Sequence, residues 1–204
     1  MNKTRVEAVS DGIFAIAITL LVLTISLPDD YSHLASQLAD RWPSFAAYAV
    51  SFAVIGIMWF NHHSIFAHFE RIDAALFYLN LLLLMTIAFL PYPTGVLGQA
   101  LQKSQGAKTA AVVYSVTMAL NSYAWGALWI YASGKRRLLT TSFPEAQRKM
   151  ATVLFTIGTV AYTASIGVAF VNAYACLVFH AVLAVYYALD PISRRLNRRS
   201  AALR

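Results

Sequence analysis

RVEAVSDGIFAIAITLLVL, residues 5–23, joins a charged head to an apolar run, and the two halves make opposite demands. From Gly12 to Leu27 only Thr19, Thr24 and Ser26 interrupt the apolar residues. With the last turns of the head, the stretch reaches the roughly 20 residues a bilayer-spanning helix needs. The head carries Arg5, Glu7, Ser10 and Asp11. Charges at the edge of hydrocarbon are costly enough that each needs a partner or a role.

The whole chain follows this reading outward. Of its 204 residues 59% are hydrophobic and 12% charged, about half the charged share of a soluble domain. Mean hydropathy is +0.58, which indicates an integral membrane protein. The net charge of +7 does not call for nucleic acid, because the basic residues sit between apolar runs, where they set topology. A single cysteine, Cys176, excludes a disulfide within the chain and reads as a small buried hydrophobe.

Stretches free of Asp, Glu, Lys and Arg cover 12–28, 42–69, 74–102, 109–134 and 150–189. The last is long enough for two helices that turn near Gly167 to Asn172. The expected fold is therefore all-α, a single domain over 1–204 with six membrane helices near 7–27, 43–68, 73–98, 108–133, 145–168 and 171–190. Loops on the side of the termini hold Lys3, Arg5, Arg71, Lys135, Arg136, Arg137, Arg148, Lys149, Arg194, Arg195, Arg198, Arg199 and Arg204. The opposite loops hold Arg41, Lys103 and Lys108. The positive-inside rule then places both termini in the cytoplasm, and the loop with Asp29, Asp30 and Asp40 outside. A secretory signal peptide competes for the N-terminus, but the apolar run is too long, no A-x-A site follows, and Glu7 and Asp11 intrude. The basic tail PISRRLNRRSAALR (191–204) reads as a stop-transfer segment, with a position along the anionic inner leaflet as the alternative.

Depth matching suggests partners for the charged head. The second helix ends MWFNHHSIFAHFER (58–71), which puts Trp59, His62 and His63 close to the cytoplasmic side. Asn80 lies two turns into the third helix, at a similar depth. Arg5, Ser10, Asp11, Trp59, His62 or His63, and Asn80 are thus the candidates for one buried polar network, which would satisfy groups that lipid cannot.

Other chemistries fit less well. H-H-x-x-x-x-H (62–68) is weak as a metal site, because adjacent residues project about 100° apart on a helix and no second ligand set accompanies it. A pH-sensing histidine and a neutral structural one both remain open for the pair. His180 reads as structural and His33 as solvated. H-E-x-x-H, G-x-S-x-G and Walker motifs are absent, so no enzyme, metal or cofactor is expected.

The first helix offers two stripes. Ile16, Thr19/Leu20, Leu23 and Leu27 recur at spacings of three and four, the pattern of a helix at the centre of an oligomer or of a lipid-facing side. Ala8, Gly12, Ala15 and Thr19 form a small-xxx-small pattern that permits close helix approach. The chain has no TVGYG filter; TIGTVAY (156–162) echoes it only superficially.

RxxxVSDG at Arg5 to Gly12, WFNHHSIF (59–66) and NLLLLMTIAFLPYPTGVLG (80–98) together resemble the first three helices of the transmembrane protein 175 family. The resemblance is carried by the first hundred residues and continues beyond them only in helix count. It implies a potassium-permeable channel without the usual filter, of the prokaryotic type with one six-helix repeat, assembled as a homotetramer whose first helices line the pore. It also implies that Ile16, five positions after the signature aspartate, forms a hydrophobic constriction, with Leu20 and Leu23 as further layers. Thr19 occupies the position associated with preference for potassium. The signature arginine, serine and aspartate would bond to neighbouring helices. Val9 departs from the family's usual phenylalanine.

The sequence therefore predicts a potassium-selective channel in a prokaryotic plasma membrane, with potassium ions, lipid and three further copies of the chain as partners. A small proton-coupled carrier using Asp11 and His63, or a membrane scaffold without transport, are the alternatives.

Overall fold

The computed structural model describes residues 2–28, 31–134, 138–140 and 143–189. Asp29, Asp30, the Lys135 to Arg137 cluster and the basic tail lie outside the described residues. Apart from an isolated bridge between Phe69 and Leu139, the described residues form helices and connecting turns. In chain order these are α1 (Lys3–Leu20, continued by a 3-10 turn Leu21–Thr24), α2 (Leu34–Asp40), α3 (Trp42–Phe66), α4 (Ala74–Phe89), α5 (Pro91–Lys103), α6 (Ala107–Gly134), α7 (Glu145–Val171) and α8 (Ala173–Leu189).

Local chemistry explains most of the boundaries. Asp73 caps α4 by accepting from the Leu76 amide at 2.9 Å. Its other oxygen accepts from the Tyr131 hydroxyl at 2.7 Å, tying that end of α4 to α6. Pro91 and Pro93 lack amide protons, so the continuous helix expected over 73–98 breaks at Leu90 into α4 and α5. The turn into α6 places Ser104 and Gly106 at positive φ, 52° and 67°. The expected turn at 167–172 narrows to Asn172, whose side chain accepts from the Ala175 amide at 2.9 Å and starts α8.

Among the described residues four segments are long and apolar enough to cross a membrane: Lys3–Thr24, Trp42–Phe66, Ala74–Lys103 and Glu145–Val171. α6 is long but more polar, and α8 is apolar but only 17 residues. α6 lies along α7, α3 packs on α5, and α1 sits against α3 and α4. The bundle centre is large and fully buried, with Phe14, Phe66, Ile55, Leu83, Tyr114 and Trp129 among its members. Large apolar side chains also cover the outside, including Val9, Met85, Ile130, Val160 and Val182, as expected where lipid is the solvent.

Helices in lipid associate by close packing, since hydrocarbon gives them no hydrophobic drive. α5 shows this at two glycines. A Cβ on Gly98 would come within 2.8 Å of Ser44 Cα, and one on Gly95 within 2.8 Å of Thr24 Cβ. Both contacts wedge the 3-10 end of the first segment and the start of α3 against α5.

Candidate functional site: the two faces of the first helix

α1 has one face that is packed and bonded and another that is bare. Val6, Ser10, Phe14, Ala17 and, in the following turn, Leu21 are all buried. Ser10 donates to its own Val6 carbonyl at 2.8 Å and accepts from Asn80 Nδ2 at 3.1 Å. Asn80 Oδ1 lies 2.8 Å from His62 Nε2. An amide oxygen only accepts, so Nε2 carries the proton and donates. The imidazole is fixed further by aromatic rings: Phe66 stacks at 4.0 Å, and Phe14 and Trp125 meet it edge-on at 5.4 and 5.9 Å. Ser10, His62 and Asn80 are each at most 2% exposed, so every hydrogen bond among them replaces one that lipid could not supply.

Asp11, the next residue round the helix, points toward the flank. It accepts from Trp59 Nε1 at 2.8 Å, with Trp59 still 47% exposed. The structure thus brings together Ser10, Asp11, Trp59, His62 and Asn80 from the sequence-derived candidates. Arg5 and His63 are exposed, and among the described residues neither side chain makes a hydrogen bond or ion pair. A position on the right turn does not choose between adjacent histidines; the packing of α3 turns His62 inward and His63 outward.

Two cations that the sequence reading assigned only to topology hold the ends of the first segment. At the start of α1, Lys3 Nζ donates to the Phe69 carbonyl at 2.8 Å and the Ala67 carbonyl at 3.4 Å, and lies 3.9 Å from Glu7. These carbonyls follow the end of α3, where a cation is favoured. At the other end, beyond the 3-10 turn, Arg41 is 5% exposed and donates to the carbonyls of Ser26, Leu27 and Gln37 at 3.2, 2.9 and 2.9 Å. An isolated arginine before Trp42-Pro43 was a visible signal, but nothing local shows which carbonyls it reaches.

The opposite face of α1 has no such partners. Ile16, Thr19, Leu20 and Leu23 are all exposed, at 59% for Ile16 and 76% for Leu23. Ala8, Gly12 and Ala15 are exposed beside them, and a Cβ on Gly12 would meet nothing within 4 Å. Thr19 Oγ1 donates to the Ile16 carbonyl at 2.9 Å, so its single proton is committed and its oxygen lone pairs face away from the helix.

Among the described residues, no cluster of three or more His, Cys, Asp or Glu side chains is placed to hold a metal. His180 is buried in α8, with Nδ1 2.9 Å from the Cys176 carbonyl. Cys176 Sγ lies 3.1 Å from the Ser115 hydroxyl.

Residues 5–91, which contain this whole polar network, match the family described as endosomal/lysosomal potassium channel TMEM175. A potassium channel of Streptomyces collinus is 43% identical over 195 residues, covering 94% of this chain and 95% of that one. The human endosomal/lysosomal proton channel TMEM175 is 41% identical over 101 residues, 45% of this chain and 20% of the human protein. Among solved structures, the lysosomal potassium-selective channel TMEM175 homologue from Chamaesiphon minutus superposes with a TM-score of 0.81 at 37% identity, covering 92% of this chain and 96% of that one. Helix order, signature and near full-length similarity agree: this chain is a membrane protein of the TMEM175 channel family.

Proposed function

We propose that the protein is a potassium channel of a prokaryotic plasma membrane, with six spans, cytoplasmic termini and a tetrameric pore lined by the bare face of α1. The observation that carries this reading is the segregation along α1: Ser10, Phe14, Ala17 and Leu21 are buried, while Ile16, Thr19, Leu20 and Leu23 stand exposed on the other side. The bacterial relatives bearing the potassium-channel name support the choice of ion.

In this account four Ile16 side chains form the narrowest ring. An ion passing it must shed water that aliphatic walls do not replace, so the ring sets a dehydration barrier. Potassium dehydrates more readily than sodium. Thr19 lies one turn further along, and its oxygen, with its proton held by the Ile16 carbonyl, offers lone pairs to a partly dehydrated cation. Leu20 and Leu23 continue the apolar wall. Ser10, Asp11, Trp59, His62 and Asn80 hold the helix in the orientation that keeps Ile16 on the axis. The carrier alternative gains no support from contacts: Asp11 bonds to Trp59, and among the described residues the His63 side chain makes no hydrogen bond.

The test is the reversal potential of the purified protein in planar bilayers under opposed potassium and sodium gradients. A reversal displaced toward the potassium equilibrium potential, and brought toward zero by Ile16→Asn, is expected. Well-folded protein that passes no current in repeated preparations would contradict the channel reading.

A further inference from the structure

A cavity of about 70 Å³ lies where α3, α6, α7 and α8 meet. Its walls are mostly apolar, with Val54, Met58, Trp125, Leu154 and Ala184 contributing. It opens between half-buried residues that include Ile57, Phe155 and Tyr187.

The wall holds buried acceptors without a donor, beside the Trp125 indole and the Tyr162 and Tyr187 hydroxyls. Asn121 is 0% exposed. Its Nδ2 donates to Thr86 Oγ1 at 2.7 Å, and Thr86 in turn donates to the Leu83 carbonyl at 2.7 Å. Because the Thr86 proton is already used, it accepts from Asn121, and this fixes which way the amide lies. Asn121 Oδ1 is then left with no donor, and Asn61 Oδ1 is buried with none either. Ser122 and Thr159 donate to the carbonyls of Ala119 and Phe155, both at 2.9 Å, so they too present lone pairs. A buried acceptor without a donor is costly, and here two amide oxygens share one apolar cavity.

An occupant that satisfies these two oxygens carries a hydrogen-bond donor on an apolar body, and a hydroxyl can also accept from the tyrosines of the wall. Among the described residues no Asp or Glu lines the cavity, so an ammonium would lose its hydration with no counter-charge from them to replace it. A neutral hydroxyl loses far less. We propose that this cavity is a binding site for a small membrane-dissolved alcohol, whose hydroxyl donates to the amide oxygen of Asn121 or Asn61 while its apolar body lies at the mouth. Pockets of mixed character, mostly apolar with a few convergent polar groups, are the usual form of a small-molecule site. The inference does not depend on the protein conducting ions.

Trp125 in the wall supplies the readout. The full chain, reconstituted in lipid nanodiscs, is titrated with 2,2,2-tribromoethanol, whose bromines quench tryptophan on contact. Saturable quenching is expected, and it should disappear in Trp125→Phe. 1,1,1-Tribromoethane, the same body without the hydroxyl, should half-saturate at a concentration about five-fold or more higher, the loss expected for one buried hydrogen bond. Asn121→Leu or Asn61→Leu should weaken tribromoethanol by a similar factor. Asn61 makes no side-chain hydrogen bond among the described residues, so Asn61→Leu remains informative if Asn121→Leu fails to fold by circular dichroism. Quenching that rises linearly without saturation, as for a cavity holding only water, would overturn the proposal. Equal half-saturation by the two bromides, or indifference to both asparagine replacements, would do the same.

Discussion

The two sides of the first helix have the same secondary structure and nearly the same hydropathy, yet opposite surroundings. On one side Ser10 is tied through Asn80 to His62, and Phe14 is 1% exposed against that imidazole. On the other, Ile16 and Leu23 touch little of the rest of the chain. The difference teaches how an apolar helix can be aimed. Two polar residues at one end, Ser10 and Asp11, hold specific partners on α3 and α4, and their bonds set the rotation of every residue that follows. The bare face is then directed without contacts of its own.

Replacements that attack the packed side should harm stability, and those on the bare side should leave it intact. Phe14→Ala should give the largest loss, about 3–5 kcal/mol for a buried aromatic truncated without repacking, read as a lowered unfolding midpoint in detergent. Arg41→Met should follow at about 2–3 kcal/mol, because hydrogen bonds from a buried cation are lost together. Hydrogen exchange should rise at residues 24–28 ahead of the rest of the chain. Asn80→Leu, which strands His62 Nε2 and removes the donor to Ser10 Oγ, should cost about 1–3 kcal/mol. If Ser10, Asn80 and His62 act as a unit, Ser10→Ala combined with Asn80→Leu should cost less than the sum of the two alone. Ile16→Ala should lie within about 0.5 kcal/mol of the parent chain, as an exposed site does, while single-channel conductance rises. A stability loss at Ile16 equal to that at Phe14 would erase the contrast between the faces.

Much of this geometry was legible in the sequence, for reasons that differ by residue. The helical runs are long and apolar, but the continuous helix read over 73–98 overlooked Pro91 and Pro93, where the structure breaks it at Leu90. Ser10, Asp11, Trp59 and Asn80 could be grouped because polar residues at one depth in lipid have few alternatives. The choice of His62 over His63 depends on which side of α3 meets Phe14, Phe66 and Trp125, a tertiary fact with no local signal. Lys3 and Arg41 were equally opaque: charge counting treats a cation as a topology marker and does not say which carbonyls it will reach. The orphaned oxygens of Asn61 and Asn121 appear only when four helices are assembled around them.

The central claim, that the bare face of α1 lines the ion path, is tested most directly by modifying it during conduction. Leu23→Cys places a thiol at a position 76% exposed in the chain, while the natural Cys176 is fully buried and provides an internal control. Potassium current through single channels would be recorded before and after a cationic methanethiosulfonate reagent. The account predicts that current through Leu23→Cys falls sharply and that the parent channel is unaffected. Current that stays unchanged after mass spectrometry confirms full labelling of Cys at position 23 would place that face outside the pore.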